Sequence, residues 1–308
     1  MSPITLLIPC FNAAPYLERL MNSVRAQTVP FAGIACYDDA SSDDTCRVAQ
    51  GLGLEVIRGE TNRGPAFARN RLIGAARSDW VHFHDADDLL DPYFVEKMSG
   101  LLTPEVDVAV CQMDWVTEST GDLEIAWRYD GDMLSRDPVQ ANLTKPVGVI
   151  ACVFRRETLQ ALGGFDEGLR TWEDADLQVR LSQAGARYRV IPEVLAIGMR
   201  HQSGASANFA QLSDCQIRLL ESYSRSLPER YRATIAAEAE KLAAWLLSED
   251  IHPDVARRCL HLCARLGWKV PSTDDPLLLI ARAVLPARWL LVLQARHRRR
   301  QAKRGRNR

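Results

Sequence analysis

No uncharged run in this 308-residue sequence reaches the ~18 residues that a membrane-spanning helix needs. The eight cysteines include no CxxC pair and lie scattered through apolar runs, so they read as buried reduced thiols rather than a disulfide framework. Cys259-x-His261-x-Cys263 comes nearest to a metal-binding spacing, but on a helix the two cysteines share a face from which His261 points away. No internal repeat and no low-complexity linker precedes residue 296. The opening MSPITLLIPCF has neither a basic n-region nor a long apolar stretch, so no signal peptide is expected and the chain reads as cytoplasmic. A hydrophobic content of 47% with 25% charged residues excludes wholesale disorder, collagen and a coiled-coil rod.

Net charge is also nearly lacking, at -1, but this average conceals segregation. Residues 296–308, RHRRRQAKRGRNR, hold 8 basic groups and no acid, which leaves 30 basic and 39 acidic residues elsewhere, a net of -9. An acidic body therefore ends in a basic tail, expected to be disordered. Three readings of the tail stay open: contact with anionic lipid headgroups, nonspecific contact with nucleic acid, or a plain solvated end. No specific nucleic acid is expected. Residues 272–294 are rich in Leu, Ile and Val, are interrupted by Arg282 and Arg288, and are kinked at Pro286. They suit a helix lying on a membrane surface, here the inner face of the cell membrane, or equally one packed on the body.

The first two hundred residues alternate short apolar runs with helical patterns. Strands are expected at 4–9, 33–37, 54–58, 80–84 and 106–113, with helices following Leu17, over 65–76 and over 91–102. This alternation implies a largely parallel sheet with helices on both faces. From 114 the rhythm becomes mixed, with strands at 125–129, 147–154, 188–191 and 195–201 and a helix at 174–184. Beyond residue 209 only helices are expected, at 211–224, 229–247 and 253–266.

In open α/β sheets, chemistry collects at the carboxyl ends of strands. Here the first strand runs into Pro9-Cys10-Phe11-Asn12, the second into Asp38-Asp39-Ala40-Ser41-Ser42-Asp43-Asp44, and the fourth into Asp85-Ala86-Asp87-Asp88. Ser42 or Asp43 suits the cap of the next helix, but capping does not account for Asp38, Asp39, Asp85 and Asp87 all abutting strand ends. Paired carboxylates on a short turn suit Mg²⁺ or Mn²⁺, hard cations that keep positions open for phosphate oxygens. A planar Arg fork for a nucleotide or its diphosphate is available in Arg69.

These segments resemble the inverting glycosyltransferases of family 2, which have the GT-A fold. The resemblance is carried by ITLLIPCFN, YDDASSDDT, TNRGPAFARN, HFHDADDLLDP, LGGFDEGLRTWEDADLQVRL and RHQSGAS, in family order over residues 4–206. It implies a GT-A domain over 1–206, with a nucleotide-binding half to about 113 and an acceptor half beyond it. A helical extension over 207–271, the apolar segment 272–295 and the tail lie outside the resemblance. It further implies that Pro9, Phe11, Asn12, Asp38 and Asp39 hold the base and ribose, and that Arg69 contacts the base or diphosphate. Asp87 becomes the metal ligand and Asp85 serves the ribose side, with Asp88 supporting either and His201 near the diphosphate or metal. Trp172 and Glu173 belong to the acceptor motif, and Asp174 is the catalytic base. The implied reaction moves a sugar from a nucleotide-sugar donor, expected to be a UDP-sugar, to a glycan or lipid-linked acceptor in surface polysaccharide assembly.

Elementary chemistry agrees. A sugar hydroxyl is a poor nucleophile at neutral pH, and a positioned carboxylate that takes its proton contributes roughly 10²–10⁴-fold. A divalent cation neutralises the leaving diphosphate. A dinucleotide-dependent oxidoreductase is disfavoured because the first turn, CFNAAP, has no glycine. A nucleotidyltransferase would carry a Gly-rich basic loop there. A non-catalytic sugar-nucleotide-binding relative is the remaining alternative, and it would be expected to have lost Asp87 or Asp174. Two positions depart from the family pattern. Ala40 stands where a glycine follows the paired aspartates, so the turn is expected to avoid a left-handed conformation there, and Leu72 replaces a second glycine.

Overall fold

The computed structural model describes residues 3–201 and 209–267, which divide between two compact units, 1–207 and 208–308. The run ITLLIPC forms β1 (Ile4–Cys10) and is buried almost throughout, as a central parallel strand covered on both faces must be. It is followed by α1 (Ala14–Arg25), β2 (Gly33–Asp38), α2 (Thr45–Gly51), β3 (Glu55–Arg58), α3 (Pro65–Ala75) and β4 (Trp80–Phe83). Next come β5 (Leu89–Leu90), α4 (Phe94–Ser99), β6 (Val108–Thr117), β7 (Leu123–Trp127), α5 (Gly131–Arg136) and α6 (Pro138–Thr144). β8 (Cys152–Arg155), α7 (Arg156–Ala161), α8 (Glu173–Gln183) and β9 (Tyr188–Arg200) complete the first unit.

The nine strands form one sheet in the order β3-β2-β1-β4-β8-β6-β9-β5, with β7 against β6. From β3 to β4 every pairing is parallel. β8 then enters antiparallel to β4 and β6, whereas β6 and β9 run parallel. The expected mixed α/β sheet is thus present, and its change of rhythm after residue 113 is the entry of the antiparallel strands. Ile4, Leu6, Leu7, Ile8, Leu17, Leu20, Phe83, Phe94 and Phe154 are fully buried at its centre, each contributing roughly 1.5–3 kcal/mol of transfer free energy.

Several boundaries differ from expectation. The strand expected over 147–154 is confined to β8, because 149–151 winds as a 3-10 turn. The two late strands are one, β9, which passes through Pro192 by shifting register against β6 around Gln112. The helix expected from 91 starts at Phe94, with Pro92 in the turn before it. The short helices α5 and α6 carry too few residues to show a period, and their starts are set by Asp130 and Asp137, whose side chains accept from the amides of Met133 and Gln140.

The second unit is helical: α9 (Phe209–Ser226), a 3-10 turn at Glu229–Tyr231, α10 (Arg232–Glu249) and α11 (Pro253–Arg265). Cys259 and Cys263 are buried on α11 while His261 is exposed, so this spacing serves packing. Arg258 ties α11 to α9 through Asp214 and Glu221, each at 2.7 Å. No helix among the described residues is long and apolar enough to cross a membrane. The helix expected over 272–294, the tail 296–308 and the last residues of RHQSGAS lie outside the described residues.

Candidate active site

Strand register gathers the polar loops. Cys10 pairs with Asp38 and Leu7 with Phe83, so β1, β2 and β4 end at one edge of the sheet. The first two loops are knitted together by side chains. Asn12, at φ 51, accepts from the Ser42 amide at 2.9 Å, and its own amide donates to Ser41 Oγ at 2.9 Å. The Ala13 amide donates to Thr45 Oγ1 at 2.7 Å, and Asp43 Oδ1 receives the Thr45 amide at 3.0 Å at the start of α2. Asp38 is fully buried. Its Oδ1 accepts from the Ser41 amide at 3.0 Å, and its Oδ2 lies 3.6 Å from Arg58 Nε. Phe11 stands 51% exposed at the mouth of this edge, beyond Pro9, the last residue but one of β1. One expectation is overturned: Ala40 does adopt the left-handed conformation, at φ 60. The tight turn persists, and an L-residue carries the strain that the family's glycine avoids.

Asp39 is built into the framework. Its carboxylate accepts from the amides of Arg63 at 3.0 Å and Gly64 at 2.6 Å. Those amides precede α3, whose cap Gly64 sits at φ 95 where a Cβ would strike the Arg170 side chain. Asp39 thereby orients α3, and α3 turns Arg69 and Asn70 toward the acceptor half. Asn70 holds the GGFDE loop from both sides, donating to the Phe165 carbonyl at 2.9 Å and accepting from the Phe165 amide at 2.8 Å.

Arg69 is 4% exposed. One terminal nitrogen donates to Asp85 Oδ1 at 2.7 Å, the other to Glu173 Oε1 at 2.5 Å. Burial alone would lower its pKa, but Asp85, Glu173 and Asp174 together outweigh that and raise it. The guanidinium expected to meet a diphosphate is therefore the bridge between the DxDD turn and α8.

The DxDD turn lies between β4 and β5, and antiparallel pairing of β5 with β9 carries the end of β9 past it. Asp88, expected to support the metal site, is 4% exposed and accepts from the Met199 amide at 2.7 Å, so its carboxylate serves the strand edge. Its pKa is raised well above the usual range by burial, then by Asp87 and Asp85. Asp87 Oδ2 lies 2.8 Å from His201 Nε2, just beyond the end of β9. Burial and the neighbouring Asp85 raise the Asp87 pKa, opposed by the bond to His201.

Trp172 caps α8 in the left-handed conformation, at φ 62. Glu173, assigned to acceptor contacts by the resemblance, is 7% exposed and committed to Arg69. Asp174 is half-buried and accepts from the Ala175 amide at 2.8 Å. Its pKa is pushed up to about 6, by burial first and by Glu173 next, with Arg69 acting in the opposite direction. A carboxylate in that range is ionised at neutral pH yet basic enough to take a hydroxyl proton.

Among the described residues no group of three or more His, Cys, Asp or Glu side chains is arranged to enclose a metal ion. Asp87 and His201 nevertheless fit a cation completed by phosphate oxygens: two facing donors from two loops, with the remaining positions left to a ligand. Tyr16, Arg19 and Glu118 belong to no motif of the sequence, and Asn70 stands in TNRGPAFARN with no role implied for it. The available signal for Arg19 was its place beside the apolar stripe of α1, between Leu17 and Leu20.

Comparisons with known proteins place the chain in a family. The family described as "Glycosyl transferase family 2" matches residues 5–163. Pre-mycofactocin glycosyltransferase of Mycobacterium tuberculosis is 34% identical in an alignment of 203 residues that covers 62% of this chain and 42% of that protein. Succinoglycan biosynthesis protein ExoU of Rhizobium meliloti is 29% identical over 61% of this chain and 59% of its own length. The chain thus spans about half the length of these curated relatives. Among solved structures, S. aureus TarS in complex with UDP-GlcNAc superposes with a TM-score of 0.59 at 16% identity, covering 90% of this chain and 95% of that one. The mannosyltransferase PcManGT of Pyrobaculum calidifontis, in complex with GDP-Man and Mn²⁺, gives 0.61 at 20% identity, covering 92% and 79%. At such identities these two likenesses concern the fold, which is the GT-A fold expected above.

Proposed function

The chain belongs to glycosyl transferase family 2, and on that premise we propose that it is an enzyme of glycosyl transfer that uses Asp174 as the base of an inverting reaction. The donor is a nucleotide-sugar, read as a UDP-sugar, and the acceptor is a glycan or lipid-linked hydroxyl in surface polysaccharide assembly. The observation that carries this reading is the Asp174 carboxylate, raised to about 6 at the start of α8, next to Glu173, which Arg69 links to the DxDD turn.

Asp174 takes the proton of the acceptor hydroxyl as its oxygen bonds to the anomeric carbon. The bond from that carbon to the diphosphate oxygen breaks on the opposite side, and the electron pair leaves with the nucleoside diphosphate. The knitted loops at Asn12, Asp38 and Ser41 form the wall for the base and ribose, and Asp85, fixed by Arg69, orients the ribose side. Asp87 and His201 are the residues that would hold a divalent cation, whose charge would offset that of the diphosphate. The imidazole favours Mn²⁺ over Mg²⁺, which takes oxygen ligands almost exclusively. The 8 basic groups of 296–308 are read as a contact with anionic lipid, each worth about 1 kcal/mol near such a surface.

The reading is tested with Asp174→Asn. Nucleotide-sugar binding, followed by thermal shift across a donor panel with and without Mn²⁺, should persist. Transfer should fall by roughly 10²–10⁴-fold. Retained transfer would remove Asp174 from the role of base. Deleting 296–308 should weaken flotation on anionic liposomes, and unchanged flotation would assign the tail to solvent.

A further inference from the structure

The Asp87–His201 pair is braced from behind by side chains of α1. Arg19 donates to the Asp87 main-chain carbonyl at 2.7 Å through one terminal nitrogen and to Glu118 Oε1 at 2.8 Å through the other. Glu118 follows β6, and its amide donates to the Arg200 carbonyl at 3.0 Å. Arg200 is the residue immediately before His201. The contacts close a ring: Arg19 to Asp87, Asp87 to His201, His201 along the chain to Arg200, Arg200 to Glu118, and Glu118 back to Arg19. One turn away on α1, Tyr16 places its ring 5.1 Å from the His201 imidazole. Arg19 is only partly exposed, its side chain at 33%, and its Nε is buried with no hydrogen-bond partner among the described residues. The guanidinium is thus held by its two terminal nitrogens.

We infer that Arg19, with Glu118 as its anchor and Tyr16 as a lateral stop, is the positioning residue that sets the separation and aim of Asp87 and His201 toward a divalent cation. The inference rests on the assignment of those two residues as cation ligands. Asp87 and His201 come from segments 114 residues apart, and their own contact is a single hydrogen bond, which a cation displaces on binding both. Once that bond is given up, what holds their backbones helps to set the spacing of the two ligands. Arg19 holds one directly and the other through Glu118. A planar fork suits this task because it fixes two acceptors at a set separation, which a lysine ammonium does not. Partners that orient metal ligands are typically worth 10–100-fold in metal affinity.

The test measures Mn²⁺ affinity of the full chain in the presence of UDP, from the electron paramagnetic resonance signal of free Mn²⁺. UDP affinity without metal is measured in parallel. The unaltered protein should bind Mn²⁺, and Asp87→Asn should abolish that binding. Arg19→Ala should weaken it by 10–100-fold while leaving metal-free UDP affinity unchanged. Arg19→Lys should recover only part of the loss. Glu118→Gln, a milder change should Arg19→Ala not fold, should give an intermediate loss. In transfer assays the Arg19 variants should need more Mn²⁺ for half-maximal rate and approach the normal kcat when saturated. Wild-type Mn²⁺ affinity in both Arg19→Ala and Glu118→Gln would overturn the inference and leave the metal assignment standing. An unaltered protein that takes no Mn²⁺, or an Asp87→Asn variant that binds it normally, would overturn that assignment and the inference with it.

Discussion

Arg69 and Glu173 meet at 2.5 Å across 104 residues of sequence, both nearly excluded from solvent. This contact ties α3, in the nucleotide half, to the first turn of α8, where Asp174 sits. Removing one partner of a buried pair leaves an uncompensated charge, so the two residues act on Asp174 electrostatically as well as by position.

Burial and Glu173 raise Asp174 to about 6, and Arg69 opposes them. A base works only when deprotonated, so kcat/KM should fall as pH drops through this value. In Glu173→Gln one negative neighbour is gone and Arg69 is released from it. Both changes lower the Asp174 pKa. The acid limb of the pH–rate profile should therefore move to lower pH, with a smaller maximum because α8 is no longer held. An unmoved limb would mean that the group seen in the profile is not Asp174.

The same shift has a consequence for stability, with its own sign. A carboxyl whose folded pKa lies above its unfolded value is costly to ionise in the folded state. The cost is full above about pH 6 and disappears below the unfolded value. Asp174→Asn should therefore stabilise the protein by about 1–2 kcal/mol at pH 7–8, and the gain should vanish near pH 4. Denaturant unfolding at the two pH values measures the difference.

Asn70 and Gly164 form a second join between the halves. Asn70 brackets Phe165 with two hydrogen bonds and also reaches Glu167 Oε1 at 3.1 Å. Asn70→Ala should cost about 1–3 kcal/mol, since it leaves the buried Phe165 backbone without those partners. Gly164 has φ 74, and a Cβ there would collide with Asn70 Oδ1. Gly164→Ala should be at least as damaging, and combining it with Asn70→Ala should cost less than the sum, because the collision is then relieved. Urea midpoints of the three variants decide this.

Ala40 offers a gain instead. At φ 60 an alanine carries strain of order 1 kcal/mol that a glycine would not. Glycine returns part of that as unfolded-chain entropy. Ala40→Gly should raise stability by a few tenths to about 1 kcal/mol, visible as a higher Tm, without loss of transfer.

The alternation of apolar runs with helical periods carried the parallel half of the sheet, because its strands are short runs bounded by turn residues, with β1 and β4 at its centre buried almost throughout. The spacing of its acidic loops carried the family and the edge where the site lies. The long antiparallel strand β9 was not legible as one piece, since Pro192 interrupts its run and only pairing with β6 and β5 keeps it continuous. The sequence alone also marked the carboxylates gathered at this edge, because they abut the ends of neighbouring parallel strands. It did not decide which of them face a ligand. Asp39, Asp88 and Glu173 are spent on backbone amides or on Arg69, while Asp87 meets His201 and Asp174 stands at the head of α8. That division depends on which partners, up to 114 residues away in sequence, the tertiary structure brings within hydrogen-bond distance, and pattern along a chain does not encode it.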